Sequence, residues 1–67
     1  MEFKLKDEFI TLAQLLKACD IVYSGGQAKE YLANVDVFVN GEKENRRGKK
    51  IHRGDVVETN DIRIDVK

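Results

Sequence analysis

Residues 24–41 read SGGQAKEYLANVDVFVNG, a stretch in which the spacing of apolar residues changes from helical to alternating. Ser24 and Gln27 have the spacing of a capping box, in which side chains bind the free amides at the start of a helix. The predicted helix buries a stripe made of Ala28, Tyr31 and Leu32. This stretch therefore predicts a helix that begins after Ser24 and a strand that follows the helix.

The strand predicted after Asn34 ends in a hairpin turn. Its alternation places the valines at 35, 37 and 39 on one face and Phe38 on the other face. Asn40 and Gly41 favour a two-residue turn, because both residue types tolerate positive φ. A short return strand is predicted over residues 43–45.

Segments on both sides complete the predicted fold. Thr11 and Gln14 have a second capping-box spacing and predict a first helix, with an apolar face of Leu12, Leu15, Leu16 and Cys19. Further strands are predicted near residues 3–5, 56–58 and 62–66, with turns at residues 53–55 and 60–61. We expect an α+β fold in which two packed helices lie against a small, mainly antiparallel sheet. Residues 1–67 should form a single domain.

The composition limits the functions that are possible. The chain has 67 residues, and Cys19 and His52 are its only cysteine and histidine. A chain this short forms one small core and leaves no room for a large catalytic cleft. One cysteine and one histidine do not provide the ligand spacing of a zinc site. We therefore expect no enzyme activity, no metal and no cofactor.

The hydropathy pattern bears on location. No apolar run approaches the roughly 20 residues that span a bilayer. The first residues alternate charged and apolar types and lack the apolar stretch of a secretory signal. We expect a cytoplasmic monomer without membrane association.

Positive charge is concentrated in one part of the chain, although the formal net charge is zero. Residues 40–54 contain six of the twelve Lys and Arg residues but only two of the twelve Asp and Glu residues. Such asymmetry can orient a small protein on a polyanion, although basic runs also serve only solubility. Residues 46–50 are predicted to form a basic loop around Gly48. The candidate contacts in this segment are Lys43, Arg46, Arg47, Lys49, Lys50, His52 and Arg53.

The predicted start of the second helix is a candidate phosphate site. A helix N-terminus carries unpaired amides and a partial positive charge. Gly25 and Gly26 add no side-chain bulk, so a phosphate can approach the Ser24 end closely. Lys29 lies one turn further along the helix. The alternative is a plain helix cap in which the glycines are tolerated for packing.

Two further residues complete the set of candidates. Lys17 lies on the polar side of the first helix and is expected to border the same surface. Phe38 is a candidate for stacking on a base, because it faces away from the valines of its strand. The alternative for Phe38 is packing against the N-terminal strand.

Three motifs of this sequence occur together in a known family. They are SGGQAK at residues 24–29, VFVNG at residues 37–41 and GDVV at residues 54–57. In order and spacing they resemble the S4 RNA-binding domain, or alpha-L RNA-binding motif, with residues 11–58 as the core motif. This domain occurs in a small-subunit ribosomal protein, in bacterial tyrosyl-tRNA synthetases and in pseudouridine synthases. The chain also looks similar to the stand-alone YaaA-like small proteins, which share the Ser-Gly-Gly start and a similar Arg-Arg-Gly-Lys loop.

The resemblance implies a non-catalytic protein that binds structured RNA, such as ribosomal or transfer RNA. It also implies a role in ribosome assembly or translation, with the ribosome or its subunits as partners. A-form RNA is recognised mainly through phosphates and shape, which suits contacts from the basic segment and the helix start. The alternative function is a protein-interaction adaptor that uses the exposed face of the hairpin or the basic loop.

Overall fold

The computed structural model describes residues 1–67 as two helices and seven short strands. The helices are α1 (Leu12–Ala18) and α2 (Gly25–Asn34). The strands are β1 (Glu2–Phe3), β2 (Ile10–Thr11), β3 (Val37–Val39), β4 (Glu42–Lys43), β5 (Lys50–Ile51), β6 (Val56–Thr59) and β7 (Ile62–Val66). The predicted α+β class, with two helices and mainly antiparallel strands, is confirmed.

The strands form two sheets, whereas one was predicted. Five strands lie in the order β1-β7-β6-β3-β4, and only the pair of β1 and β7 is parallel. The strands β2 and β5 form a separate antiparallel pair, with Ile10 opposite Ile51 and Thr11 opposite Lys50. Lys50 is therefore the first residue of a strand, although the sequence placed it in a loop. The sequence missed this pair because each strand has two residues and the strands lie far apart along the chain.

The hairpin between β3 and β4 has the predicted turn. Asn40 and Gly41 adopt φ values of 52° and 84°, as a two-residue turn with positive φ requires. Val39 pairs with Glu42 across this turn. The return strand therefore begins at Glu42, one residue earlier than predicted.

Local hydrogen bonds fix the start of both helices. Thr11 Oγ1 accepts from the amide of Gln14, whose side chain accepts from the amide of Thr11, so the predicted capping box of α1 is confirmed. At α2, Ser24 Oγ accepts from the amide of Gln27 at 3.1 Å. The side chain of Gln27, however, accepts from the amide of Tyr23 at 2.7 Å. The prediction of a full capping box at α2 is therefore wrong in one of its two hydrogen bonds. The side chain of Gln27 binds the amide of Tyr23 instead of the amide of Ser24, because the long glutamine side chain reaches one residue further back.

A single apolar core lies between the helices and the sheets. It includes the leucines of α1, Ala28 and Leu32 of α2, and inward residues of the strands. Cys19 ends α1, is half-buried and packs against this core, as expected for a small core residue. Burial, with a smaller effect from the charge of Asp20, raises the pKa of the Cys19 thiol. Neither helix combines the length and apolarity that crossing a bilayer requires.

Candidate nucleic-acid interface

The basic loop, residues 46–50, is bonded through its backbone to the start of α1. The amide of Leu12 donates to the carbonyl of Lys49 at 2.8 Å, and the amide of Ala13 donates to the carbonyl of Arg47 at 3.0 Å. Amides in the first turn of a helix have no partner within the helix. The loop carbonyls therefore satisfy these amides, and the loop backbone is held at the N-terminal end of α1.

The cations of the basic loop are not equivalent, because Arg46 is already paired. Its Nε and Nη2 donate to the two carboxylate oxygens of Glu44 at 2.9 and 3.0 Å. The hydrogen bonds from the Arg46 side chain lower the pKa of Glu44 to about 2, so this carboxylate is ionised at neutral pH. Glu44 therefore neutralises Arg46 in the structure of the free protein.

Lys49 also lies close to negative charge, whereas Arg47 does not form an ion pair. Lys49 is half-buried and lines a cavity of about 290 Å³ together with Glu42, Glu44 and Asp55. These three carboxylates do not form a metal site, because no group of three or more His, Cys, Asp or Glu side chains is placed to hold a metal ion. Arg47 is exposed and has no acidic partner. It is therefore the loop cation most available to an external anion.

Lys50 and His52 flank an aromatic residue that the sequence did not single out. Lys50 Nζ lies 4.8 Å from the centroid of the Phe9 ring, within the range of a cation–π interaction. The ring of His52 lies 6.2 Å from Phe9 at an interplanar angle of 50°. Phe9 precedes β2, which pairs with β5, and this pairing brings the three side chains together. In the sequence, Phe9 could have been identified as a candidate only because it is an aromatic residue outside the apolar stripe of the predicted first helix.

Arg53 and Asp55 have contacts that stabilise the turn before β6. Arg53 Nη2 donates to the carbonyl of Leu5 at 2.7 Å. Asp55 accepts from the amide of His52 at 2.8 Å and from Asn40 Nδ2 at 2.9 Å. Burial alone would raise the pKa of Asp55, but these hydrogen bonds outweigh it and the pKa is lowered. Arg53 retains further N–H donors for an external ligand.

Lys29 lies next to the segment that precedes the basic loop. It lines a cavity of about 310 Å³ together with Lys43 and Asn45, and Asn45 directly precedes Arg46. Lys43 forms an exposed ion pair with Asp36 at 3.1 Å. Asp36 lines the same cavity and neutralises Lys43, so it is Lys29 that extends the basic surface from the loop to the side of α2.

The start of α2 has amides that are free to bind an anion. The amide of Gln27 is bonded to Ser24, and the amides of Gly25 and Gly26 have no acceptor. A Cβ at Gly25 would meet nothing within 4 Å, and at Gly26 it would meet only Ser24 Oγ at 3.9 Å. Packing therefore does not require glycine at either position, which removes one explanation for the pair.

The candidate residues are spread along α1 rather than gathered at one point. The basic loop lies at the N-terminal end of α1, and Val22 bonds to the carbonyl of Leu16 near the C-terminal end. Ser24 follows Val22 by two residues, so the basic loop and the start of α2 are attached to opposite ends of α1. Lys17 lines a separate groove with the N-terminal segment. Only an extended ligand can contact all of these positions together.

Phe38 does not pack against the N-terminal strand. Its strand β3 is separated from β1 by β6 and β7, so that alternative for Phe38 is wrong. Phe38 lies opposite Lys43 and Glu58 in the neighbouring strands, and it is 36% exposed. The ring therefore has a free surface on the outer face of the sheet.

Two comparisons relate the sequence of this chain to known proteins. A family model described as "S4 domain" matches residues 3–67. The chain is also similar to the probable ribosome maturation protein RlbA of Bacillus subtilis (strain 168), with 55% identity over 51 residues. The aligned region covers 76% of this chain and 72% of that protein.

Proposed function

The chain belongs to the S4 domain family, and we therefore propose that it is a non-catalytic protein that binds structured RNA. The RNA would be ribosomal or transfer RNA, bound through its backbone phosphates. The protein would act in the cytoplasm as a monomer, in ribosome assembly or translation. A similar protein is named as a probable ribosome maturation protein, and this supports assembly over other steps.

The observation that carries this proposal is the attachment of the basic loop to α1. The amides of Leu12 and Ala13 hold the loop backbone, while the side chain of Arg47 remains exposed and unpaired. A fixed backbone reduces the ordering entropy that a loop loses on binding. A guanidinium can also bind a phosphate through two parallel hydrogen bonds. The loop therefore offers a pre-positioned cation for a phosphate group.

The shape of the basic surface favours a long polyanion over a small ligand. Lys29 lies beside the loop segment, and the free amides of Gly25 and Gly26 follow the opposite end of α1. A small anion reaches one of these sites at a time. A folded RNA presents phosphates along its whole backbone, and its A-form geometry suits recognition by charge and shape.

Binding measurements with an RNA hairpin at several salt concentrations test this proposal. Arg47→Gln should weaken binding and flatten the slope of log K against log salt by about 0.7 to 0.9, because one phosphate contact is lost. The matched control is Arg63→Gln, since Arg63 is paired with Asp65 on another part of the sheet. Equal effects of the two variants, or an unchanged slope for Arg47→Gln, would contradict the assigned role of the loop.

A second candidate function, a protein-interaction adaptor, is favoured by the exposure of Phe38. The ring lies beside Glu58 and lines a cavity of about 300 Å³ with Asp61 and Arg63. Aromatic residues are enriched at protein interfaces. Copurification before and after nuclease treatment separates the two functions. Loss of partners on RNA digestion favours RNA binding, and retained partners that Phe38→Ala removes favour the adaptor.

A further inference from the structure

A groove between the N-terminal segment and α1 is lined by both apolar and basic residues. Its volume is about 530 Å³, within the range of about 300–1,000 Å³ typical of small-ligand sites. Phe3 and Phe9 contribute aromatic surface, and Lys4, Lys6 and Lys17 contribute charge. The groove thus combines a surface for a planar ring with cations at its edge.

The charge of this groove is not neutralised within the protein. Asp7 is the only acidic residue that lines it. None of its three lysines forms an ion pair, unlike Lys43 and Lys67, which are paired with Asp36 and Glu2. A ligand that carries negative charge next to an apolar group would complement this surface.

Phe9 connects the groove to the basic loop. The ring is 37% exposed and lines the groove, whereas Lys50 and His52 contact the ring without lining the groove. The part of the ring that faces the groove is therefore not covered by the ammonium group of Lys50. An RNA strand bound to the loop would pass close to this exposed part of the ring.

We propose that the groove binds one unpaired nucleotide of the RNA, with the base against Phe9 and the adjacent phosphates at Lys4, Lys6 and Lys17. This inference rests on the proposed binding of RNA. A base supplies the flat apolar surface that an aromatic ring stacks on, independently of base identity. A bulged or looped nucleotide leaves its base free for such stacking, so the preferred RNA contains an unpaired nucleotide beside a duplex.

The other exposed phenylalanine is less suited to this role. Phe38 has almost the same exposure as Phe9, at 36% against 37%. Its surroundings, however, include the carboxylates of Glu58 and Asp61, with Arg63 as the cation of that cavity. Phosphates next to a base at Phe38 would meet negative charge, whereas phosphates next to a base at Phe9 would meet lysines.

The test compares one blunt-ended RNA duplex with and without a single bulged 2-aminopurine nucleotide. The full-length protein should bind the bulged duplex more tightly and quench the 2-aminopurine fluorescence, because the base stacks on Phe9. Phe9→Leu keeps apolar volume but removes the aromatic face, and it should reduce affinity for the bulged duplex about fivefold or more. Its affinity for the fully paired duplex should change little. Lys4→Gln with Lys6→Gln should weaken binding of the bulged duplex and flatten its salt dependence.

The outcomes separate this inference from the proposed function. A preference that persists in Phe9→Leu, or that only Phe38→Leu removes, overturns the groove assignment. Equal affinity of the natural protein for both duplexes overturns it too, while RNA binding itself stands. No binding of either duplex overturns both proposals. A fluorescent peptide of glutamate and leucine tests the other class of ligand, and its Phe9-dependent binding in preference to RNA would assign the groove to a protein. Thermal unfolding of Phe9→Leu verifies that the variant is folded.

Discussion

The pairing of Arg46 with Glu44 leads to a prediction that is opposite to the usual effect of a mutation at an interface. Glu44 accepts two hydrogen bonds from the Arg46 side chain and one, at 3.0 Å, from the Arg46 amide. Glu44→Gln removes the negative charge but keeps an oxygen that accepts from this amide. The guanidinium is then free for a phosphate, so we expect the variant to bind RNA more tightly than the natural protein.

The magnitude follows from one additional phosphate contact. Each contact contributes about 0.7 to 0.9 to the slope of log K against log salt. At about 0.1 M salt this corresponds to roughly five- to eightfold tighter binding and a steeper salt dependence. The assay is fluorescence anisotropy of a labelled RNA hairpin, titrated at four or more salt concentrations.

The control for this experiment is Asp65→Asn, which makes the same change in net charge. Asp65 is paired with Arg63 at 3.1 Å, so the substitution also frees a cation, but on β7. An equal gain in both variants would attribute the effect to net charge. A gain without a steeper salt slope would show that Arg46 does not reach a phosphate, and either result would contradict this prediction.

Three further predictions concern pH, the turn before β6 and the start of α2. Because the pKa of Glu44 is about 2 in the folded protein and ordinarily 4.5, its ionised form stabilises the fold above pH 4.5, and this contribution disappears as the pH falls towards 2. The difference in urea midpoint between about pH 5 and about pH 2.5 should therefore be smaller in Glu44→Gln than in the natural protein. Asp55→Ala removes hydrogen bonds from His52 and Asn40 and should reduce the free energy of unfolding by about 2 kcal/mol in a denaturant titration, whereas an unchanged midpoint would rule out this role. Gly25→Ala should raise the free energy of unfolding by about 0.5–1 kcal/mol, since alanine is the better helix former and its Cβ meets nothing within 4 Å. If a phosphate binds at that position, the same variant should bind RNA more weakly, and unchanged affinity would exclude the helix start from the interface.

Local signals in the sequence predicted the elements of the fold well. The capping box of Thr11 and Gln14 and the turn at Asn40 and Gly41 are both confirmed. Each depends on residues within four positions of one another, so no distant contact is needed for their recognition. The resemblance to the S4 family likewise depended on short motifs, and it is confirmed by the family model and the similar protein.

Properties that depend on distant contacts were missed. The pair of β2 and β5 joins Ile10 to Ile51, and it brings Phe9 next to Lys50 and His52. No periodicity within two residues can indicate such a strand. The sequence also treated the cations of the basic loop as equal, although the structure pairs Arg46 and leaves Arg47 free.

The order of amino acids was enough to predict the fold class, the family and the basic segment, because caps, turns and alternation are set by neighbouring residues. The packed structure was needed to show which cations remain unpaired and where they lie relative to α1. Side-chain pairing and grooves depend on the distances between chain segments, and these distances are fixed when the helices and sheets pack around the common core. The same packing created the groove beside Phe9, whose lysines come from two segments that no sequence pattern connects.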